Sequence, residues 1–200
     1  LTGNSTMNSS TNLFNATTTL SGSNTLTLTD NTNIQSGKTV SVPSGTTLIG
    51  TAASFNGHTV TGAGNVTVTG VTGTALESID LDGIDTSGTN TLTLTGDSTM
   101  NSSTNLFNAT TTLSGNNTLT LTDNTNIQSG KTVSVPSGTT LAGSASSFNG
   151  HTVTGAGNVT VTGVTGNGLE SIDLDGIDAS GTNTLTLTGD STMNSTTNLF

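Results

Sequence analysis

The stretch ESIDLDGID, residues 77–85, gathers Glu77, Asp80, Asp82 and Asp85, and it returns at 170–178 with Glu170, Asp173, Asp175 and Asp178. Carboxylates this close suggest three readings. One is a calcium site, because Ca²⁺ takes six to eight oxygen ligands and carboxylates joined by backbone carbonyls can supply them. Another is a carboxylate pair of the kind that hydrolyses glycosides. The third is a solvated strand face. On a strand, Ile79 and Leu81 share one side while Asp80 and Asp82 share the other, and like charges there discourage sideways pairing of an exposed edge. Asp80, Asp82 and Asp85, with Asp173, Asp175 and Asp178, are the candidate calcium ligands. No other cofactor and no catalytic residue is assigned.

Other reactive side chains are scarce. Each repeat owns one His (His58, His151) and one Lys (Lys38, Lys131); there is no Arg and no Cys. His58 lies in FNGHTV, a Gly-bearing turn, and is expected at the surface. Ser and Thr are too numerous for a nucleophile to stand out. A catalytic set copied intact through a uniform array, with no distinctive cleft residue, is a poor expectation, so the chain reads as a non-enzyme. The sequons NST, NAT and NVT arise by chance in so Asn- and Thr-rich a composition.

The formal net charge is -10, although only 7% of residues are charged. Such a surface offers no counterion release to phosphate backbones, which argues against nucleic acid, and an anionic membrane is disfavoured for the same reason. No apolar run approaches the ~18 residues of a membrane span, and no signal peptide is visible. Without Cys there are no disulfides to stabilise a thin core. The text stops mid-pattern at STMNSTTNLF, as a window on a longer array would.

The elements that must position these residues come from an internal repeat. LTGNSTMNSSTNLFNATTTLSG at 1–22 recurs at 94–115 with Asp97 for Asn4, and a third copy begins at Leu187; the period is 93 residues without insertion. Residues 1–93 and 94–186 differ at eight positions, all mildly. The units are therefore 1–93, 94–186 and the start of a third at 187–200. Within each, single apolar anchors fall at Leu20, Leu26, Ile34, Val40 and Leu48, with gaps of 6, 8, 6 and 8. Around them the pattern alternates: TLTLT at 25–29, TVSV at 39–42, TVTG at 59–62 and NVTV at 65–68. That is the period-2 signature of a strand with one face buried, punctuated by turn signals at SG and PSG. Helix is not expected, because no apolar set recurs at helical spacing among the Gly, Asn, Ser and Thr.

Strands this short bury nothing alone, but stacked rungs cover one another. The expectation is an all-β fold, a parallel β-solenoid with rungs of about 14 residues. Six or seven rungs per repeat at ~4.8 Å each would make about 30 Å of rod. Its core would hold Leu20, Leu26, Ile34, Val40, Leu48 and Val66. Tandem Ig-like sandwiches are the alternative, since 93 residues suits such a module, though the repeat lacks Trp and Tyr. A disordered Thr/Asn/Ser/Gly linker is the third reading.

LESIDLDGIDTSGTNTLTLTGDSTM, residues 76–100, resembles segments of giant repetitive surface proteins of Gram-negative bacteria, including large adhesins of the RTX type. IQSGKTVSVPSGTTL, residues 34–48, resembles rungs of filamentous-haemagglutinin-like extracellular β-helices. Together they cover roughly 40 of the 93 residues per repeat. The resemblance implies a secreted location at the cell surface or in a matrix, and a role in adhesion or scaffolding. The calcium-binding RTX nonapeptide is absent. The function expected is a structural stalk or filament supporting adhesion or a biofilm matrix. Its partners would be further copies of the same repeat, stacked in tandem or head to tail, and the cell surface or matrix. Two alternatives remain open: an adhesin extender stiffened by calcium, and a flat array of outward Thr pairs (Thr25/Thr27, Thr59/Thr61, Thr67/Thr69) that binds ice.

Overall fold

The structure, a computed structural model, describes residues 1–101, 104–194 and 198–200. Repeat 1 contributes β1 (Ser5–Thr6), β2 (Thr18–Thr19), β3 (Thr25–Thr27), β4 (Thr39–Ser41), β5 (Thr47–Thr51), β6 (Thr59–Gly62), β7 (Asn65–Gly73) and β8 (Ile84–Thr86). A long strand, β9 (Asn90–Thr99), crosses into repeat 2. There follow β10 (Thr111–Ser114), β11 (Thr118–Thr120), β12 (Thr132–Ser134), β13 (Thr140–Ser144), β14 (Thr152–Gly155), β15 (Asn158–Gly166), β16 (Ile177–Ala179) and β17 (Asn183–Ser191). Every ladder between these strands is parallel. The chain winds as a β-solenoid of about eight turns.

In repeat 1 one face is β1-β3-β5-β7-β9 and the second is β2-β4-β6-β8. The third side is built from turns: a 3-10 turn at Asn31–Asn33 and a four-residue helix, α1 (Ala52–Phe55), with α2 (Ala145–Phe148) in repeat 2. These two helices depart from the all-strand expectation. Each is a local event: the Thr51 hydroxyl accepts from Ser54 N, as that of Ser144 does from Ser147 N. The cap lets Phe55 and Phe148 drop into the core, where both are fully buried.

Rung length also differs from expectation. Leu26 faces Leu48, Leu48 faces Val66, Val66 faces Asn90, and Asn90 faces Thr111, steps of 22, 18, 24 and 21 residues. The 6- and 8-residue gaps measure the sides of a three-sided turn. Leu20, Leu26 and Ile34 lie on successive sides, and a full turn closes only at the fourth anchor. A repeat is therefore four rungs, about 20 Å of rod at ~4.8 Å each.

The four steps from Leu26 to Thr111 use 85 residues, eight short of the repeat. The ladder thus cannot return to the face it left. Strand β9 absorbs the difference: Asn90–Thr93 carry β10 on one side of a corner, and Ser98 and Thr99 carry β11 on the other. The face that ends repeat 1 continues as β10-β12-β14-β16, and a new face starts as β11-β13-β15-β17. Strand β7 turns the same corner one rung earlier. Its register against β9 shifts between Val68 and Val71, where Gly70 takes φ +71°, a left-handed backbone that glycine adopts without steric cost.

The six anticipated core residues, Leu20, Leu26, Ile34, Val40, Leu48 and Val66, are all buried. The glycines of the expected turn signals, Gly22, Gly37 and Gly45, all have positive φ. The core is thin, and buried polar bonding between rungs supplements it. Asn33 and Asn126 are fully buried. Asn126 Nδ2 donates to the carbonyls of Asn101 and Thr104, each at 2.7 Å, on the rung below. Its Oδ1 accepts from Thr122 N and Asp123 N at 2.9 and 3.0 Å. Asn24 and Asn117 likewise donate to Leu1 O and Leu94 O one rung down. Each of these amides clamps backbone, and a side chain so committed holds two rungs in one register.

Candidate functional site

The acidic segment does not form the strand expected of it. Residues 74–78 turn, with Glu77 N donating to Thr74 O and Ile79 N to Leu76 O. Ser78 sits at φ +60°, a left-handed conformation that costs a non-glycine residue of order 1 kcal/mol or more. Leu76, Leu81 and Ile84 are fully buried and Ile79 partly so. Their burial fixes where the carboxylates go. Asp80 lies between rungs: Asn56 Oδ1 accepts from its N–H at 2.8 Å, its carbonyl accepts from Gly57 N, and it bridges Asn105. Asp80 Oδ1 also accepts from Asp82 N at 3.0 Å. Asp85 belongs to β8, paired with Thr61, and its Oδ2 accepts from Asn108 Nδ2 at 3.5 Å.

Repeat 2 copies this arrangement. Asp175 N donates to Asp173 Oδ1 at 3.2 Å, Asn149 Oδ1 accepts from Asp173 N, and Asp178 stands on β16 opposite Thr154. The fold thus brings Asp80 to Asp82 and Asp173 to Asp175, and it leaves Asp85 and Asp178 on separate strands. Among the described residues, no three His, Cys, Asp or Glu side chains gather closely enough to hold a metal ion.

The pairs still perturb each other. Asp82 is raised from its ordinary value, first because burial takes water from it and then because Asp80 stands beside it. Asp175 is raised mainly by its contact with Asp173, with burial the smallest cause. Asp173 is held low by donors from Asp175 and Asn198.

Two matching cavities lie on the turn side, one in each repeat. One, of ≈ 440 Å³, is lined by Asn31, Thr32, Gln35, Asn56 and His58 among others. Its counterpart, of ≈ 460 Å³, is lined by Asn124, Thr125, Gln128, Asn149, His151 and Asp82. His58, expected at the surface, is buried at 6% exposure, as is His151. Each donates from Nε2 to the carbonyl of Asn31 or Asn124 one rung away, at 2.9 and 2.8 Å. The Gly57 turn places the ring against the stack, which the local sequence could not reveal. Two amides around the groove bond between rungs: Asn31 Nδ2 donates to Ala53 O and Asn56 O, and Asn56 Oδ1 accepts from Asp80 N. The groove's chemistry is that of a joint between rungs.

The outward Thr positions do not form a uniform array. Thr25 and Thr27 stack on Thr47 and Ile49, then on Asn65 and Thr67. On the second face Thr39 and Ser41 stack on Thr59 and Thr61, and Thr61 on Asp85. A flat ice-matching surface needs Thr at both positions on successive rungs, and Ile49, Asn65, Ser41 and Asp85 interrupt it.

The sequence allows turn asparagines such as Asn33 to bond between rungs, but the full burial of Asn33 and Asn126 and their grip on backbone carbonyls were not foreseen. The signal is present in DNTN: an Asp cap whose side chain accepts from the N–H two residues on, with the final Asn turned inward. No helix among the described residues is long and apolar enough to cross a membrane. No protein-family model, no curated protein and no solved structure matches the chain at a significant level.

Proposed function

We propose that this chain is a structural rod, a stretch of an extracellular stalk or filament that supports adhesion at the cell surface or scaffolds a matrix. The observation that carries this reading is the ladder through the repeat boundary. Strand β9 belongs to both repeats, so one continuous hydrogen-bonded sheet of thirteen strands runs along the molecule. Tandem domains on linkers would bend between modules, whereas a shared strand transmits tension from one repeat to the next. Support also comes from the turn-side cavities, where Asn31, Asn56 and His58 spend hydrogen bonds on joining rungs. The secreted location rests on the resemblance of residues 76–100 and 34–48 to extracellular repeat proteins.

Immunogold electron microscopy on intact source cells, with antibody raised against this chain, tests the reading. Gold held away from the surface along extended structures is the expected result. Labelling that needs permeabilised cells would overturn it.

A further inference from the structure

Asparagine followed by glycine occurs three times in the chain, at Asn56–Gly57, Asn149–Gly150 and Asn167–Gly168. The pair carries its own chemistry. With no Cβ on the following residue, the glycine backbone nitrogen can reach the carbon of the asparagine side-chain amide. That nitrogen gives its proton to hydroxide as the N–Cγ bond forms. The Cγ–Nδ2 bond then breaks, the leaving nitrogen takes a proton from water, and ammonia departs from a five-membered cyclic imide. Water opens the imide at either carbonyl, giving aspartate or isoaspartate; in isoaspartate the main chain runs through the side-chain carboxyl. Water is the sole co-reactant, so the geometry of each pair decides its rate.

All three pairs are exposed, yet the fold holds them differently. Asn56 Oδ1 accepts from Asp80 N at 2.8 Å, and Gly57 N donates to Asp80 O at 3.0 Å. Asn149 and Gly150 grip Asp173 in the same way, at 2.8 and 2.9 Å. Both reacting groups are tied to one residue of the next rung, and ring closure has to pull both away from it. Asn167–Gly168 lies instead at the head of the acidic turn. Gly168 N donates to Thr165 O at 2.9 Å and Glu170 N to Asn167 O, bonds that stay within one turn. Among the described residues, no hydrogen bond ties the Asn167 side chain to another rung. The exposure belongs to the turn itself. Its equivalent in repeat 1, Thr74–Ala75, is exposed as well, although repeat 2 stands on that turn through Ser98 Oγ, which donates to Gly73 O, and Thr104 Oγ1, which donates to Leu76 O.

We propose that Asn167 is a site of covalent modification in the folded rod, losing its amide to become aspartate or isoaspartate. Asn56 and Asn149 carry the same reactive pair in a locked form, which reacts only when the rung holding Asp80 or Asp173 opens. Two bonds, each worth about five-fold, slow the locked sites by about thirty-fold or more, whereas one turn bond slows Asn167 by about five-fold at most. The consequences differ too. At 167 the product adds a negative charge to a turn that already holds Glu170. At 56 or 149 an isoaspartate lengthens the main chain between two buried side chains, Phe55 and His58 or Phe148 and His151, and the rung no longer closes in register. The locked pairs therefore convert local opening into a permanent break in the stack. The inference uses the fold alone and holds whatever the rod supports.

The test ages the full chain at mildly alkaline pH, folded in one sample and held in concentrated urea in the other. Peptide mapping by mass spectrometry reads the change from amide to acid at each site. Asn167 is expected to convert in the folded protein at no less than about a fifth of its rate in urea, while Asn56 and Asn149 slow by about thirty-fold or more. Three sites slowed alike, or Asn167 slowed the most, would overturn the proposal. Hydroxylamine, which cuts the chain at the imide, gives an independent reading: one cut, after Asn167, in the folded protein and three in urea. Cuts after Asn56 and Asn149 in the folded protein, as fast as the one after Asn167, would overturn the lock. The variant T74N/A75G carries the pair into the turn of repeat 1, as repeat 2 already has it. A second fast site at position 74 is expected, and a site there as slow as Asn56 would overturn the turn as the source of the reactivity.

Discussion

Phe14→Ala and Phe107→Ala alter the same residue in the same local sequence, NLFNATTTL, and they are expected to differ several-fold in cost. Phe107 is fully buried between the rung that holds Leu76 and Leu81 and the one that follows. Truncating such a side chain forfeits its transfer free energy and leaves a cavity, together about 3–5 kcal/mol. Phe14 keeps 75% of its surface in water. About a quarter of the ~3 kcal/mol available for burying Phe is at stake there, so its loss should cost under about 1 kcal/mol. Phe200, 42% exposed, should fall between the two. Urea unfolding followed by circular dichroism gives the comparison. A solenoid need not unfold in one step, so hydrogen exchange at Leu106 and Leu81 serves as the local readout. Equal costs for the variants at 14 and 107, or less than about 1 kcal/mol at 107, would refute burial by stacking as the source of stability.

Four further outcomes are expected. Asn126→Ala removes four hydrogen bonds to backbone in a fully buried site, and should cost about 3–5 kcal/mol by urea titration, at roughly 1 kcal/mol or more per lost bond. In repeat 1 the Thr86 hydroxyl donates to Asn90 Oδ1, whereas Ala179 leaves buried Asn183 Oδ1 without a partner. Ala179→Thr should therefore stabilise by about 1 kcal/mol, seen as a raised Tm; a lowered Tm would contradict the pairing. The pH profile should have two limbs. Asp30 and Asp123 are held low by the N–H and hydroxyl of Thr32 and Thr125, so their contribution is present above about pH 4 and lost as pH falls through their folded values. Asp82 and Asp175 are raised, so they destabilise when ionised, and acidification through their folded values towards the ordinary Asp value of about 4 relieves that. D82N/D175N should flatten the upper limb of a Tm-versus-pH curve, and D30N/D123N the lower. Finally, Tm in calcium and in excess EGTA should agree within about 2 °C, because two paired carboxylates supply too few of the six to eight oxygens that calcium takes. A fall of tens of degrees would make Asp80 and Asp82 ligands.

Much of the fold is legible in the residues. TVTG at 59–62 coincides with β6, and TLTLT and TVSV lie on β3 and β4, because period-2 alternation reports a pleated strand with one face buried wherever it occurs. The size of a turn is not legible in the same way. Gaps of 6 and 8 count residues between sides, and the number of sides that close a rung depends on how three separated segments meet in space. The candidate site divides along the same line. The carboxylates were visible, but the turn through Ser78 replaces the strand on which Asp80 and Asp82 were expected to share a face. The bond from His58 to Asn31 was invisible until residues 27 apart became neighbours.

The sequence by itself determined the parallel solenoid, its repeat of 93 residues and its apolar core anchors, because each follows from local alternation and self-similarity. Only the tertiary structure decided that a repeat holds four rungs, that the faces change over at β9, and that Phe14 is wet while Phe107 is dry. Strand formation is written into a few consecutive residues. Burial is conferred by the rungs above and below, and near-identical stretches of chain have different sets of neighbours.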